Sequence, residues 1–351
     1  MSALHGDPAL EALMLPFDEG ALVWPRDGGP VGNVLFMRAR DGWPLRRHAQ
    51  PGLVCEQSFK PAADALERAG YDVRAADDTR YPLVLLLPPR QRDEARALFA
   101  HALMRVRDGG IVVASVANGE GAKSAQTDFA RIAGPLDVRS KHKCRVFWTR
   151  PGHAGDDALS ARWRALDAPL AIGDGRFVSR PGVFAWDRVD PASKLLAGHL
   201  PQDLRGRAAD LGAGYGYLSA ELLQRCPGIT ALDVYEAEAR ALDLARVNLA
   251  PFASRVALGF HWHDVTTGLP GRYDAIVTNP PFHAQARAGR PDIGRAFIAA
   301  AAQALEPGGR LWLVANRHLP YESVLDARFG HVRSIAQRDG FKVVEAVKAP
   351  R

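Results

Sequence analysis

The sequence predicts an α/β protein made of two tandem doubly wound domains, the first of them degenerate. Three observations carry this. Strand-sized apolar runs alternate with helix-sized segments through the second half. The order strand, helix, Gly-Gly turn and strand seen over residues 273–315 recurs over residues 81–116. The chain, at 351 residues, is long enough for two domains that each bury a core without disulfides or metals.

In the second half, Arg207 to Leu211 reads as a short apolar strand running into the turn Gly212-Ala213-Gly214-Tyr215-Gly216 and then a helix over Tyr217 to Arg225. A strand at Ile229 to Tyr235, a helix through Ala237 to Leu249 and a strand near Val256 to Trp262 follow. Tyr273 to Thr278 is an apolar strand that ends in Asn279-Pro280-Pro281-Phe282. A long helix over Gly294 to Leu305 is broken by Pro307-Gly308-Gly309. Strands at Arg310 to Ala315 and Lys342 to Val347 complete the half. Repeated βα units of this length require a parallel sheet with helices on both faces.

The first half repeats the plan less completely. Tyr81 to Leu87 is an apolar strand ending at Pro88-Pro89, with a helix over Arg92 to Val106, then Asp108-Gly109-Gly110 and a strand at Ile111 to Val116. Nothing before residue 80 offers a strand followed by a G-x-G-x-G turn, and no Asn precedes Pro88. A duplicated domain that has lost a ligand site explains this, although any α/β domain makes such an order. Pro151 to Asp157, rich in Gly and polar residues, reads as a linker between domains over residues 1–155 and 165–351.

Composition excludes several classes. With 47% hydrophobic and 24% charged residues the chain is neither disordered nor membrane-embedded. Its strongest apolar stretch, Leu83 to Leu87, is only strand-sized. Asp7, Glu11, Asp18 and Glu19 near the start do not fit a secretory leader, so the expectation is a cytoplasmic protein with no membrane partner. Cys55, Cys144 and Cys226 are too widely spaced for a disulfide framework or a zinc site. The formal charge of +6 suits a polyanionic partner, but only seven of 45 basic residues are Lys, and GC-rich coding alone produces such a bias.

The turn over Asp210 to Gly216 lies where open α/β sheets bind ligands, and Gly212, Gly214 and Gly216 let backbone approach a ligand closely. Its G-x-G-x-G spacing with a preceding acid differs from the G-x-G-x-x-G that seats a pyrophosphate. Asp210 suits an ammonium and would repel a dinucleotide. Glu236, at the end of the next strand, is placed to accept from two ribose hydroxyls, with neighbouring Glu238 able to fill the same role. Asp264, after the third strand, is placed to accept from an adenine amino group. His261 and His263 flank Trp262 without a third ligand, so no metal is expected.

Asn279-Pro280-Pro281-Phe282 is the strongest signal. Two prolines fix the backbone and remove two donors, so the Asn279 side-chain oxygen and the Pro280 carbonyl can both accept from one NH2 group. Phe282 can stack on the ring that carries it.

Together, Asp210 to Gly216 and Asn279 to Phe282 resemble the class I methyltransferases that modify amino nitrogens. Pro181-Gly182-Val183-Phe184, then Asp187, Asp190 and Ser193-Lys194-Leu195-Leu196, and later Val314 to Tyr321, resemble more narrowly the ribosomal RNA guanine-N2 methyltransferases with two tandem Rossmann-like methyltransferase domains. Trp186 and Arg188 depart from that pattern. The resemblance covers residues from about 80 onward. It implies S-adenosyl-L-methionine as cofactor, held by Asp210, Gly212, Gly214, Gly216, Glu236, Asp264 and Asn279. It also implies methyl transfer at Asn279, Pro280, Pro281 and Phe282 to a guanine N2 in ribosomal RNA, of the small subunit, free or in an assembled subunit. The enzyme is expected to be a monomer whose non-catalytic first domain supports folding and holds RNA. The same tetrapeptide serves adenine N6 and glutamine amide methylation, and a non-enzymatic RNA-binding or ribosome-assembly protein is the rival from another class.

In the first domain Arg38, Arg40, Arg46 and Arg47 are candidate RNA contacts. So are Arg139, Lys141, Lys143 and Arg145, which a single strand would place on one face against successive phosphates. An edge strand protected from aggregation by its charges accounts for the row equally.

Overall fold

The computed structural model describes residues 6–25, 33–47, 52–153, 155–281 and 291–350. The chain divides into two compact units, Met1–Ala168 and Pro169–Arg351.

The first unit runs α1 (Pro8–Asp18), β1 (Val34–Met37), α2 (Trp43–Arg46), β2 (Leu53–Glu56), α3 (Lys60–Arg68), β3 (Asp72–Arg74), β4 (Tyr81–Leu86), α4 (Arg92–Arg105), β5 (Val106–Ala117), α5 (Ala122–Ala133), β6 (Leu136–Lys141), β7 (Cys144–Thr149) and α6 (Asp157–Arg164). Among the described residues the strands form a sheet in the order β3-β2-β1-β4-β5-β7-β6. It is parallel except for β7, which runs antiparallel to both β5 and β6. Because side chains alternate along a strand, Val34 and Phe36 join one core with α1, while Leu35 and Met37 join the other with α4 and α5. A sheet buried on both faces needs the continuous apolar runs seen in β4.

The second unit runs β8 (Leu170–Ile172), β9 (Phe177–Ser179), α7 (Pro191–His199), β10 (Arg205–Leu211), α8 (Tyr217–Arg225), β11 (Gly228–Glu236), α9 (Ala239–Leu249), β12 (Ala257–Trp262), β13 (Tyr273–Thr278), α10 (Pro291–Ala304), β14 (Leu305–Asn316), α11 (Glu322–Asp326), β15 (His331–Arg338) and β16 (Phe341–Val347). Its main sheet follows β12-β11-β10-β13-β14-β16-β15, the same order as the first, with β16 antiparallel to its neighbours. Ala208, Leu232, Val277 and Val314 pack under α7, α8 and α9, and Ala209, Leu211, Ile276 and Leu313 pack under α10.

Two expectations are corrected. Residues 151–157 do not separate the units. The Asp156 amide donates to the Arg131 carbonyl (3.1 Å), Asp156 Oδ1 caps α6, and Trp163 is buried with Arg96 and Arg131 over its ring at 5.0 and 5.6 Å. The first unit therefore extends to Ala168. Arg139 to Arg145 is a hairpin, not one strand, because His142 and Lys143 both take left-handed backbone (φ 53° and 57°). Arg139 and Lys141 oppose Val146 and Cys144, while Arg145 opposes Ser140 on the other face, so the four basic residues form no single row. The first 75 residues, which the resemblance does not cover, carry α1, β1, α2, β2, α3 and β3.

Candidate active site

The parallel strands of the second unit end together at one edge of its sheet, and the loop after β10 forms one wall of a cleft there. Gly212, Gly214 and Gly216 have φ of 70°, 58° and 89°, a region costly for other residues. The Gly212 and Ala213 amides donate to the Tyr235 carbonyl (2.8 and 3.1 Å), and the Gly214 amide donates to Glu236 Oε2 (2.7 Å). Glu236 Oε1 accepts from the Glu238 amide (2.8 Å). Burial raises the Glu236 carboxyl above its ordinary range, opposed by these amides. Each carboxylate oxygen retains a further lone pair for an incoming hydroxyl.

Asp210, at the end of β10, is fully buried. Its Oδ2 accepts from Ser219 Oγ on α8 (2.7 Å), and its Oδ1 has no partner among the described residues. Burial pushes this carboxyl up to about 7. Asp264 Oδ1 accepts from the Thr266 amide and hydroxyl (2.9 and 2.6 Å), which starts a short helical turn after β12. His261 Nε2 lies 3.0 Å from Asp233 Oδ1, and His263 Nε2 lies 2.7 Å from the Gly268 carbonyl. No group of three or more His, Cys, Asp or Glu able to hold a metal occurs among the described residues.

The opposite wall is built by Asn279, Asp190, Ser193 and Phe184. Thr278 Oγ1 donates to the Leu211 carbonyl (2.8 Å), tying the end of β13 to the end of β10 and bringing Asn279 beside the glycine loop. Asn279 Nδ2 donates to Asp190 Oδ2 and Ser193 Oγ, both at 2.9 Å. Its Oδ1 is buried with no partner among the described residues. Pro280 is buried and Pro281 exposed; Phe282 lies outside the described residues. Asp190 and Ser193 entered the sequence reading only as part of a resemblance. Phe184, 66% exposed on the rim of the cleft, entered in the same way, since nothing local marks it as exposed.

The basic candidates of the first unit are mostly paired within it. Arg38 binds Glu94, Arg40 binds Asp7, Arg46 binds Asp41 and Arg47 binds Asp18, at 2.6–2.8 Å. Arg139 lies 3.5 Å from Glu19, and Arg145 donates to Gln126 (2.7 Å). Lys141 and Lys143 are exposed.

The walls of the cleft fit S-adenosyl-L-methionine. A Cβ at Gly214 would meet no atom within 4 Å, so this loop residue borders open space, whereas a Cβ at Gly212 or Gly216 would come within 3.2 Å of Phe297 or Ala245. The loop is therefore packed behind and open in front. A buried carboxylate oxygen without a partner lies beneath it, and a carboxylate lies at its side. That arrangement suits a ligand with a cationic amino-acid end and a ribose. A doubly wound sheet with this loop after its first strand and Asn-Pro-Pro after its fourth matches what the resemblance to the class I methyltransferases implies.

Residues 174–345 match the family described as the methyltransferase small domain. The chain is 33% identical to ribosomal RNA small subunit methyltransferase C of Pseudomonas aeruginosa, over 80% of this chain and 83% of that protein. It is 31% identical to the protein of the same name from Salmonella paratyphi A, over 88% and 90%. Among solved structures, the T. thermophilus 16S rRNA N2 G1207 methyltransferase (RsmC), in complex with AdoMet and guanosine, superposes with a TM-score of 0.79 at 27% identity, covering 98% of this chain and 92% of that one. The chain belongs to the ribosomal RNA small subunit methyltransferase C family.

Proposed function

We propose that this protein transfers the methyl group of S-adenosyl-L-methionine to the exocyclic N2 amine of a guanine in small-subunit ribosomal RNA. The observation that carries the reading is Asn279. Both its amide hydrogens are donated inside the protein, so the oxygen left buried and unpartnered is an acceptor awaiting a donor. Such an atom is costly unless a ligand satisfies it.

A guanine N2 amine carries two hydrogens. Asn279 Oδ1 and the Pro280 carbonyl supply two acceptors, and the prolines remove competing backbone donors. An amine held by both hydrogens has its lone pair directed along one line. The bound cofactor supplies an activated sulfonium methyl. The amine would attack that methyl as sulfur departs, and water would take the proton the nitrogen then sheds, so the residues of this chain need only hold and orient the amine. The protein's contribution is mainly orientation and exclusion of solvent. Gly212, Gly214 and Gly216 would border the cofactor, Glu236 would take its ribose hydroxyls, Asp210 would face its ammonium and Asp264 its adenine.

In this reading the second unit is catalytic, and the first is a degenerate copy that supports it and holds RNA through Lys141, Lys143 and neighbouring basic residues. The enzyme works as a cytoplasmic monomer. No helix among the described residues is long and apolar enough to cross a membrane.

The test is incorporation of labelled methyl into unmodified small ribosomal subunits and into naked ribosomal RNA, followed by nucleoside analysis. N2-methylguanosine that disappears with Asn279→Ala supports the reading. N6-methyladenosine or labelled protein transfers the chemistry to another amine, and no label despite cofactor binding leaves a non-catalytic RNA-binding protein.

A further inference from the structure

Asp190 serves two structures with one oxygen. Its Oδ2 accepts from the Ser193 amide (2.8 Å), starting α7, and from Asn279 Nδ2 (2.9 Å). The second hydrogen of the Asn279 amide goes to Ser193 Oγ. With both hydrogens used, the amide has one favourable orientation. Turning it over would set its oxygen against the Asp190 carboxylate and direct its NH2 to the place of the free oxygen.

Helix capping alone does not explain this arrangement, because the first unit contains a control. Its α1 starts with Asp7-Pro8-Ala9-Leu10, against Asp190-Pro191-Ala192-Ser193 at α7. Asp7 caps its helix through Oδ1 to the Ala9 and Leu10 amides, and its Oδ2 pairs with Arg40. The strand registers set Met37 beside Leu86 in one sheet and Leu211 beside Thr278 in the other, so Leu87 occupies the position of Asn279. The capping aspartate is thus present in both copies. The serine and the asparagine are present together only in the copy that has the glycine loop.

We propose that Asp190 and Ser193 are positioning residues for methyl transfer: they lock Asn279 with its oxygen available to the target amine. The Asp190 carboxylate also polarises the amide so that this oxygen better stabilises positive charge growing on the nitrogen. A negative group behind a donor strengthens the acceptor at its other end. The charge is needed most as the amine becomes cationic, so its effect falls on kcat more than on KM. This inference rests on the methyl-transfer reading above.

The experiment uses the full-length protein with small ribosomal subunits. Asp190→Asn keeps a good helix cap and similar volume but removes the charge. The expected result is a fall in kcat on the order of 10- to 100-fold, with KM for RNA and calorimetric affinity for S-adenosyl-L-methionine within about threefold of wild type. Ser193→Ala should lose about 10-fold in kcat, and Ser193→Thr, which restores the hydroxyl, should recover most of it. Thermal unfolding of each variant separates these losses from misfolding. The positioning role is overturned if both variants turn over within twofold of wild type, or if kcat falls only in proportion to folded protein. It is also overturned if cofactor affinity collapses with kcat, which would make these residues cofactor ligands. A wild-type protein that methylates no guanine amine defeats the underlying reading and this inference together, whereas active wild type with unaffected variants defeats only this inference.

Discussion

The two units share a strand order and differ at the loops. Registers align Met37 with Leu211 and Glu56 with Tyr235, and the Ala39 amide reaches the Glu56 carbonyl just as the Ala213 amide reaches that of Tyr235, both at 3.1 Å. Where the second unit has Gly212, the first has Arg38, which keeps the positive φ (53° against 70°) and pairs with Glu94. Where the second has Glu236 accepting from a loop amide, the first has Gln57 donating to a loop carbonyl (2.7 Å). The fold tolerates these exchanges because its cores lie on the sheet faces, away from the strand ends. The chemistry belongs to a few residues at those ends.

Moving first-unit residues into the second unit therefore tests the comparison. Asn279→Leu, which installs Leu87's side chain, should lower methyl transfer by about 1,000-fold or more while cofactor binding persists, read by label incorporation beside calorimetry. Loss of binding along with turnover would show that Asn279 is needed mainly for the cofactor. Gly212→Arg adds a side chain where a Cβ already comes within 3.2 Å of Phe297, at positive φ. Cofactor affinity should fall by at least about 100-fold, because the new side chain strains and crowds the loop. Retention of tight binding would mean that the loop is not the cradle. Glu236→Gln replaces an acceptor-only carboxylate and should weaken cofactor binding by about 10-fold, consistent with loss of a charged hydrogen bond.

The smallest effect concerns pH. Burial lifts the Asp210 carboxyl from 3.8 to about 7, so between those values the folded protein keeps a proton that the unfolded chain has released. The stability this contributes is complete below the unfolded value and is lost as pH rises through about 7. Asp210→Asn, which cannot ionise, should flatten the decline of the unfolding temperature between about pH 4 and pH 7 by a few degrees. An unchanged slope in scanning calorimetry would assign the decline to other groups.

How much was legible in the sequence depended on distance along the chain. The turn Gly212 to Gly216 and the tetrapeptide from Asn279 are contiguous, and the apolar runs of β10, β11 and β13 mark their own strands. The Asp190 and Ser193 contacts with Asn279 span 89 and 86 residues, and no local pattern announces them. Residues of α1 are apolar on nearly every side, from Ala9 and Leu10 through Ala12 to Pro16, and its Pro16 argues against a helix, so periodicity gave no signal there. The four-residue strands β1 and β2 are too short to separate from buried loop. Alternating basic residues imitate a strand, and left-handed His142 and Lys143 carry no glycine to betray the hairpin.

The shared oxygen of Asp190 makes assembly and readiness one event. A chain whose α7 has docked one turn out of place, or whose β13 has slipped against β10, cannot bring that oxygen to both the Ser193 amide and Asn279. Misassembled molecules would leave the asparagine free to rotate and would be poor catalysts even with cofactor bound. The site is thus complete only where α7 and β13 meet in this register.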